Sequence, residues 1–368
     1  MFQMVIPKLS MFLLLNNKIT LVLFYLIYYF VRCPSKPELY FCPTKKKRVD
    51  RMESLHKKHM PLFLLHFGLI QSLLQLFRPV NTIIRKRITI SAPHDGQIII
   101  DMTTNSSKKN VLLVHGFNGS SNSKYIRALA YILDKEGYQV FCFNARGTTT
   151  LLDSEVFFHI GWTVDLKVAV DYILDKYKGT LELYGFSMGA AWVTKFLGES
   201  IVNKRIIKGG AICLPFDFSK IEKHFNNSYK LRFYNRLLAH NFFRYINRNW
   251  KTFSKTGLDL KEIAKCRTIR DIDNIITKKV FAFEDISKYY KDESCVHHIK
   301  NIKIPFLILN SKDDPVIPEF TIDIEECRAN KNILLVVNKW GGHLGFLKNS
   351  FSNSLADDII LDFSKYFK

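Results

Sequence analysis

The apolar positions fall into three regimes along the chain, and each regime predicts a different kind of element. From Met11 to Val31 the text MFLLLNNKITLVLFYLIYYFV is nearly continuous in apolar residues. As a helix it would rise about 30 Å, the hydrocarbon thickness of a bilayer. Asn16, Asn17 and Lys18 interrupt it, so its strong part is Ile19 to Val31, with Tyr25, Tyr28 and Tyr29 toward one end as interfacial tyrosines stand. Val31-Arg32-Cys33-Pro34 offers no small-residue cleavage site, so the expectation is an uncleaved anchor rather than a signal peptide. A second apolar stretch, Pro61 to Phe77, lacks charge but contains His66, Gly68, Gln71 and Gln75. It is short for a span and reads as a helix lying in a membrane interface or capping the entrance of the domain that follows, or equally as a buried amphipathic helix.

From Arg87 the rhythm changes. RITISAPHDGQIIIDM alternates apolar and polar residues around His94-Asp95-Gly96, a hairpin signal. Buried-strand runs then alternate with helical periodicity: NVLLVHGF (110–117), YIRALAYILDKEGY (125–138), QVFCFNARG (139–147), TVDLKVAVDYILDKY (163–177) and LELYGFS (181–187). Such alternation predicts an α/β fold with a mostly parallel central sheet and helices on both faces. The domain plan is therefore residues 1–35 as a region with a transmembrane anchor at about 11–31, residues 36–86 as a basic linker with an amphipathic helix, and residues 87–368 as the α/β domain. Residues 219–300, between the strands ending AICLPFDF and beginning at Ile304, are too long for a loop and predict an inserted helical cap.

Charge and cysteine content narrow the partners. The chain carries 54 Lys+Arg against 33 Asp+Glu, which favours anionic surfaces. No zinc-knuckle, helix-turn-helix or RNA-binding signature accompanies that charge, so nucleic acid is not expected. The cap alone holds 18 Lys/Arg against 9 Asp/Glu with aromatics interleaved, suiting contact with anionic lipid as well as reflecting the general basicity. Nine Lys/Arg between Arg32 and Lys58, against Lys8 alone in the first ten residues, place the folded domain in the cytosol by the positive-inside rule. A glycan on the sequons at Asn105 or Asn226 would instead place it in a lumen. Seven cysteines without Cys-x-x-Cys pairing or histidines at zinc spacing read as small buried hydrophobes, with no metal site expected.

The candidate chemistry centres on Gly185-Phe186-Ser187-Met188-Gly189, which sits where a strand turns into the helical stretch MGAAWVTKFLGES. In a nucleophile elbow the glycines let strand and helix pack closely while the tight turn exposes the serine. Such an elbow needs an acid and a base later in the chain and a backbone oxyanion site from an earlier loop. IPFLILNSKDDPVIP ends a strand in Asp313-Asp314, and VVNKWGGHLGF ends one in His343 between glycines. Geometry cannot rank the two carboxylates from sequence. His115, in His-Gly-x-x-Gly after a strand, matches the loop that aims the Phe117 amide at a developing oxyanion, its own side chain being structural. His297 and His298 lie in a charged stretch and read as a solvated face.

HDGQIIIDM, HGFNGSSNSKYIRAL, NARG, FHIGWTVDL, LYGFSMGAAWVTKFLGE, LPFDF, YNRLL, KYYKDES, NIKIPFLILNSKDDP and WGGHLGF occur in that order over residues 93–346. The chain thereby resembles the AB hydrolase 4 branch of the α/β-hydrolase superfamily. The resemblance implies a serine hydrolase with Ser187, Asp314 and His343 as its triad, oxyanion donors in the Phe117 and Met188 amides, and no cofactor or metal. Asp314 is preferred to Asp313 on the family's usual placement of the acid. The substrates implied are lipid esters (phospholipid, monoacylglycerol or medium-chain acyl esters), with acyl transfer to an alcohol as an alternative use of the same triad. A membrane setting, endoplasmic reticulum or another endomembrane, goes with it. The chain departs from the branch at Thr148-Thr149-Thr150, where more glycines are usual, and at Ala190-Ala191, where Gly-Asn is common. A silent lipid-binding or scaffold protein on the same fold is the non-enzymatic alternative.

Overall fold

A computed structural model describes residues 18, 20–61, 63, 67–83, 85–199, 201–225, 229–348 and 350–367. Nine strands form one sheet: β1 (Glu38–Phe41), β2 (Arg85–Ala92), β3 (Gly96–Thr103), β4 (Lys109–Val114), β5 (Gln139–Asn144), β6 (Thr180–Phe186), β7 (Ile206–Ile212), β8 (Phe306–Ser311) and β9 (Ile333–Asn338). Their spatial order is β1-β9-β8-β7-β6-β4-β5-β3-β2. Strands β4 to β9 run parallel, with Val114 opposite Phe143 of β5 on one side and Gly185 of β6 on the other. The order reverses at β4, and a crevice opens at the carboxyl ends of the strands beside such a reversal.

Sequence composition accounts for the layers. The parallel strands are mostly apolar because helices cover both faces, and β5, β8 and β9 are buried at every position. Edge strand β2 alternates from Arg87 onward, exposed at Arg87, Thr89 and Ser91 and half-buried at Ile88, Ile90 and Ala92. The β2–β3 hairpin turns through His94 and Asp95, both at positive φ (59° and 54°), the backbone that a tight Asp-Gly turn needs. Two apolar clusters lie on opposite faces of the sheet, one around Phe143, Trp192 and Phe158, the other around Tyr184, Leu307 and Phe363.

The NARG and FHIGWTVDL motifs meet in a buried bidentate ion pair. Arg146 Nε and Nη2 donate to Asp165 at 2.7 Å each, and Nη2 also reaches the Pro93 carbonyl at 2.8 Å, tying the hairpin turn to the sheet.

Two details differ from their sequence reading, and the expected span lies partly outside the described residues. The residues between 36 and 86 contribute edge strand β1, antiparallel to β9, and bury Val49, Met52 and Leu55 in the core. A four-residue strand, ELYF, is too short to show a period. Among the described residues no helix is long and apolar enough to cross a membrane. Residues 20–27 are helical and run into a π-helical turn, Tyr28–Arg32, whereas residues 11–17 and 19 of the expected span lie outside the described residues. The Tyr29 hydroxyl donates to the Pro61 carbonyl at 2.6 Å and its ring meets Phe63 edge-on, fastening this end of the helix to the body. His298 is a correction: it is half-buried beside Gly198 rather than solvated, and burial lowers its pKa to about 4. His297 is exposed as expected.

Between β7 and β8 the chain forms a series of helices, the longest Tyr229–Arg248, followed by short pieces such as Ile269–Ile272 and Ile286–Asp292. They form one wall of the cavity described next.

Candidate active site

Ser187 occupies the single residue between β6 and the helix Met188–Glu199, at φ +53°. A β-carbon at Gly185 would meet the Gly189 carbonyl, and one at Gly189 would meet the Val114 and His115 carbonyls, so both glycines are dictated by the close approach of helix to sheet. The Ser187 amide donates to the Ile212 carbonyl at 2.9 Å and locks the turn against β7.

His343 lies in the loop after β9. Its Nε2 is 2.8 Å from Ser187 Oγ and its Nδ1 is 2.9 Å from Asp314 Oδ2. A carboxylate at Nδ1 fixes the proton there and leaves the Nε2 lone pair facing the serine hydroxyl. The side chain of Asp314 is fully buried, and its other oxygen accepts from the Val316 and Ile317 amides at 2.7 and 3.0 Å. Both of its oxygens thus accept hydrogen bonds, three in all, and its orientation is set.

The neighbouring carboxylate does something else. Asp313 Oδ1 accepts from the Gly342 amide at 2.9 Å, while its Oδ2 is buried without a partner. Desolvation pushes its pKa up to about 6. The two adjacent carboxylates, which only the family resemblance had ranked, differ in direction: one meets His343 and the other Gly342.

His115 is fully buried; its Nδ1 lies 2.7 Å from the Gly116 carbonyl and its Nε2 accepts from the Ala145 amide at 3.1 Å. Burial lowers its pKa to about 4, so it stays neutral as a brace of the loop. Tyr125 accepts from the Gly116 amide at 2.9 Å on the same loop. Phe117 follows and, like Met188, lines the cavity. Met188 is the first helical residue, so its amide has no intrahelical acceptor.

Cys213 was not singled out in the sequence as a site neighbour. Its Sγ, Asp314 and His343 present ligand atoms within 4.8 Å of one another. Burial beside Asp314 raises the thiol pKa well above its usual value, and the sulfur accepts from the Leu344 amide, so the group is a protonated wedge under the histidine loop rather than a thiolate ligand.

A cavity of about 850 Å³ opens over Ser187, large enough for a lipid acyl chain with part of its headgroup. Phe117, Leu238, Phe242, Tyr290 and Ile317 give it apolar walls, and Arg244 and Arg248 stand on its rim. The Thr148-Thr149-Thr150 departure faces this rim, where Arg248 donates to the Thr148 and Thr150 carbonyls at 3.0 and 3.2 Å. Ser72, Leu73 and Leu76, from the helical stretch before the sheet, complete the wall.

The family whose description is alpha/beta hydrolase fold matches residues 109–350. The chain belongs to that family. It is 28% identical over 297 residues to a monoacylglycerol lipase of Saccharomyces cerevisiae, a match covering 78% of this chain and 65% of the yeast protein. It is 29% identical over 270 residues to Monoacylglycerol lipase ABHD2 of Danio rerio (69% and 62% covered) and 26% identical over 339 residues to Phospholipase ABHD3 of Homo sapiens (88% and 82%). The chain thus spans just under two thirds of the length of the yeast and zebrafish relatives. Among solved structures, uncomplexed Pyrococcus horikoshii acylaminoacyl peptidase has a TM-score of 0.51 at 13% identity, covering 79% of this chain and 43% of that one, a likeness of fold alone.

Proposed function

We propose that the protein is a serine hydrolase that cleaves carboxylic ester bonds of lipids. The observation that carries the reading is the continuous relay from Ser187 Oγ through both nitrogens of His343 to Asp314, at 2.8 and 2.9 Å, beneath an apolar cavity. The lipase and phospholipase names of its relatives support the same substrate class.

In this reading His343 Nε2 takes the Ser187 proton as Oγ attacks the ester carbonyl, and Asp314 stabilises the imidazolium that results. The Phe117 and Met188 amides hold the oxyanion, worth about 3 to 4 kcal/mol per donor. Collapse expels the alcohol, which takes the proton from His343, and leaves an acyl group on Ser187. Water, activated by the same imidazole, releases the acid; an alcohol in its place would give a new ester.

The experiment is labelling by a fluorophosphonate probe. Wild type is expected to be labelled and Ser187→Ala not; a folded, unlabelled wild type overturns the reading. Tethering by residues 11–31 belongs to the same proposal. Leu21, Val22, Leu23, Phe24, Ile27, Phe30 and Val31 expose their side chains on the described part of that stretch, as residues facing lipid would. Retention in the membrane pellet after alkaline carbonate extraction is expected, and release to the supernatant removes the tether.

A further inference from the structure

The helix Gly68–Leu74, continued by the turn Gln75–Phe77, is inside out for a soluble protein. Gly68, Gln71, Ser72 and Gln75 are buried, whereas Leu69, Leu73, Leu76 and Phe77 are 37, 41, 55 and 73% exposed. A surface helix normally turns its apolar stripe inward. Here the inward face meets the loop of His343. Ser72 Oγ donates to the Gly68 carbonyl at 2.6 Å and accepts from the His343 amide at 2.6 Å. Gln71 Oε1 accepts from the Leu347 amide at 2.9 Å. Side chains at Gly68 or Gly342 would collide with Asp313 or with Gly68 itself, so helix and loop touch backbone to backbone.

The outward face runs into the mouth of the cavity, since Leu73 and Leu76 are both exposed and part of its lining. Across the cavity stands the helix Tyr229–Arg248, which supplies Leu237, Leu238 and Phe242 to the lining. That helix carries Arg232, Arg236, Arg244 and Arg248, no acidic residue, and an exposed Phe233. Of these, Arg244 and Arg248 line the cavity, so its mouth presents exposed leucines from one element and guanidinium groups from another, complementary to a layer of acyl chains capped by phosphate.

We propose that the helical segment 68–77 is the surface on which the active-site mouth docks onto an anionic phospholipid leaflet, and that through Ser72 the same segment positions the His343 loop. The proposal rests on the hydrolase reading of the site. It makes seating on lipid and a correctly aimed imidazole depend on one element.

The test uses the full chain and two substrates: soluble p-nitrophenyl butanoate, and a long-chain ester carried in phosphatidylcholine–phosphatidylserine vesicles. Leu69 and Phe77 do not line the cavity, so L69S/F77S is expected to keep the soluble rate within about twofold and lose about tenfold on vesicles. Wild type is expected to work faster on these vesicles than on pure phosphatidylcholine ones. An unchanged vesicle rate in the double variant, or equal wild-type rates on the two vesicle types, overturns the docking. Loss of a dimer in the variant with no change on vesicles assigns the face to a second copy and overturns it as well. For the positioning role, S72A is expected to lower kcat on the soluble ester about tenfold with KM held, and S72T to restore it. An unaltered kcat in S72A overturns that role. A wild type that fluorophosphonate labels but that ignores the vesicles fails on docking alone, whereas an unlabelled one fails on the underlying reading.

Discussion

His343 is gripped from two sides that are built in opposite ways. On the sheet side, Ser187 and Asp314 stand on turns at the carboxyl ends of β6 and β8, strands buried along almost their whole length. Asp314 alone accepts three hydrogen bonds there. On the other side, the helical segment 68–77 holds the same loop through Ser72 and Gln71 while exposing its leucines. The sheet side owes its rigidity to a packed core, the helix side to a few polar bonds under an uncovered apolar face. Under the proposed hydrolase reading, exact aim at Ser187 and access for a lipid are divided between these two supports.

The largest effects are expected where the sheet side is broken at its chemistry. Ser187→Ala and His343→Ala should each lower kcat about 10⁵ to 10⁶-fold, measured on a soluble ester, with little change in thermal unfolding. Asp314→Asn should cost about 10⁴-fold, because an amide cannot hold the imidazole in the required tautomer. The contrast with its neighbour sharpens the comparison: Asp313→Asn, facing the Gly342 amide, should leave kcat within about tenfold of wild type. Equal losses in the two variants would show that the relay is not confined to the sheet side.

A step below lies the scaffold of that same side. Asp165→Ala strands the buried guanidinium of Arg146, which should cost about 3 to 5 kcal/mol in urea unfolding while the surviving folded protein keeps the Ser187–His343–Asp314 hydrogen bonds. If stability is unchanged, the ion pair is not what fastens the hairpin turn to the sheet.

The two sides also differ in how far the sequence discloses them. Strands β4 to β9 show as largely apolar runs because both faces are covered, and the elbow shows because only glycine tolerates the backbone contacts around Ser187. His115 is legible as a brace for a similar reason, its motif naming a loop rather than a base. What stays hidden is whatever depends on direction. Asp313 and Asp314 are chemically identical in a string of letters, and only the turn separates the one that meets His343 from the one that meets Gly342. The apolar text of residues 61–77 left open whether its leucines are buried, since periodicity gives a stripe and not the side it faces. Cys213 enters the site through a left-handed turn at the end of β7, at φ +52°, which no local pattern announces. Strand β1 is too brief to have a period, yet it pairs along all four residues with β9, the strand that delivers His343.

Asp313 sits on the seam between the two supports, its carbonyl against Gly68 and its carboxylate on Gly342, and gives the smallest effect. Its folded pKa, raised to about 6 by desolvation, lies above the unfolded value near 3.9. The folded state therefore holds the proton more tightly, and as pH rises from about 4 to about 6 the unfolded chain ionises while the folded one resists. Through this group alone, wild type should lose about 3 kcal/mol of stability across that window, read against a variant that lacks the carboxylate. Asp313→Asn has no charge to bury, so it should melt higher than wild type above pH 6, with the gap closing toward pH 4. Paired melting curves at pH 4 and pH 7 check this. A constant gap would mean that the carboxylate is solvated when the protein is folded, and hence that the helix is not seated against the loop in solution.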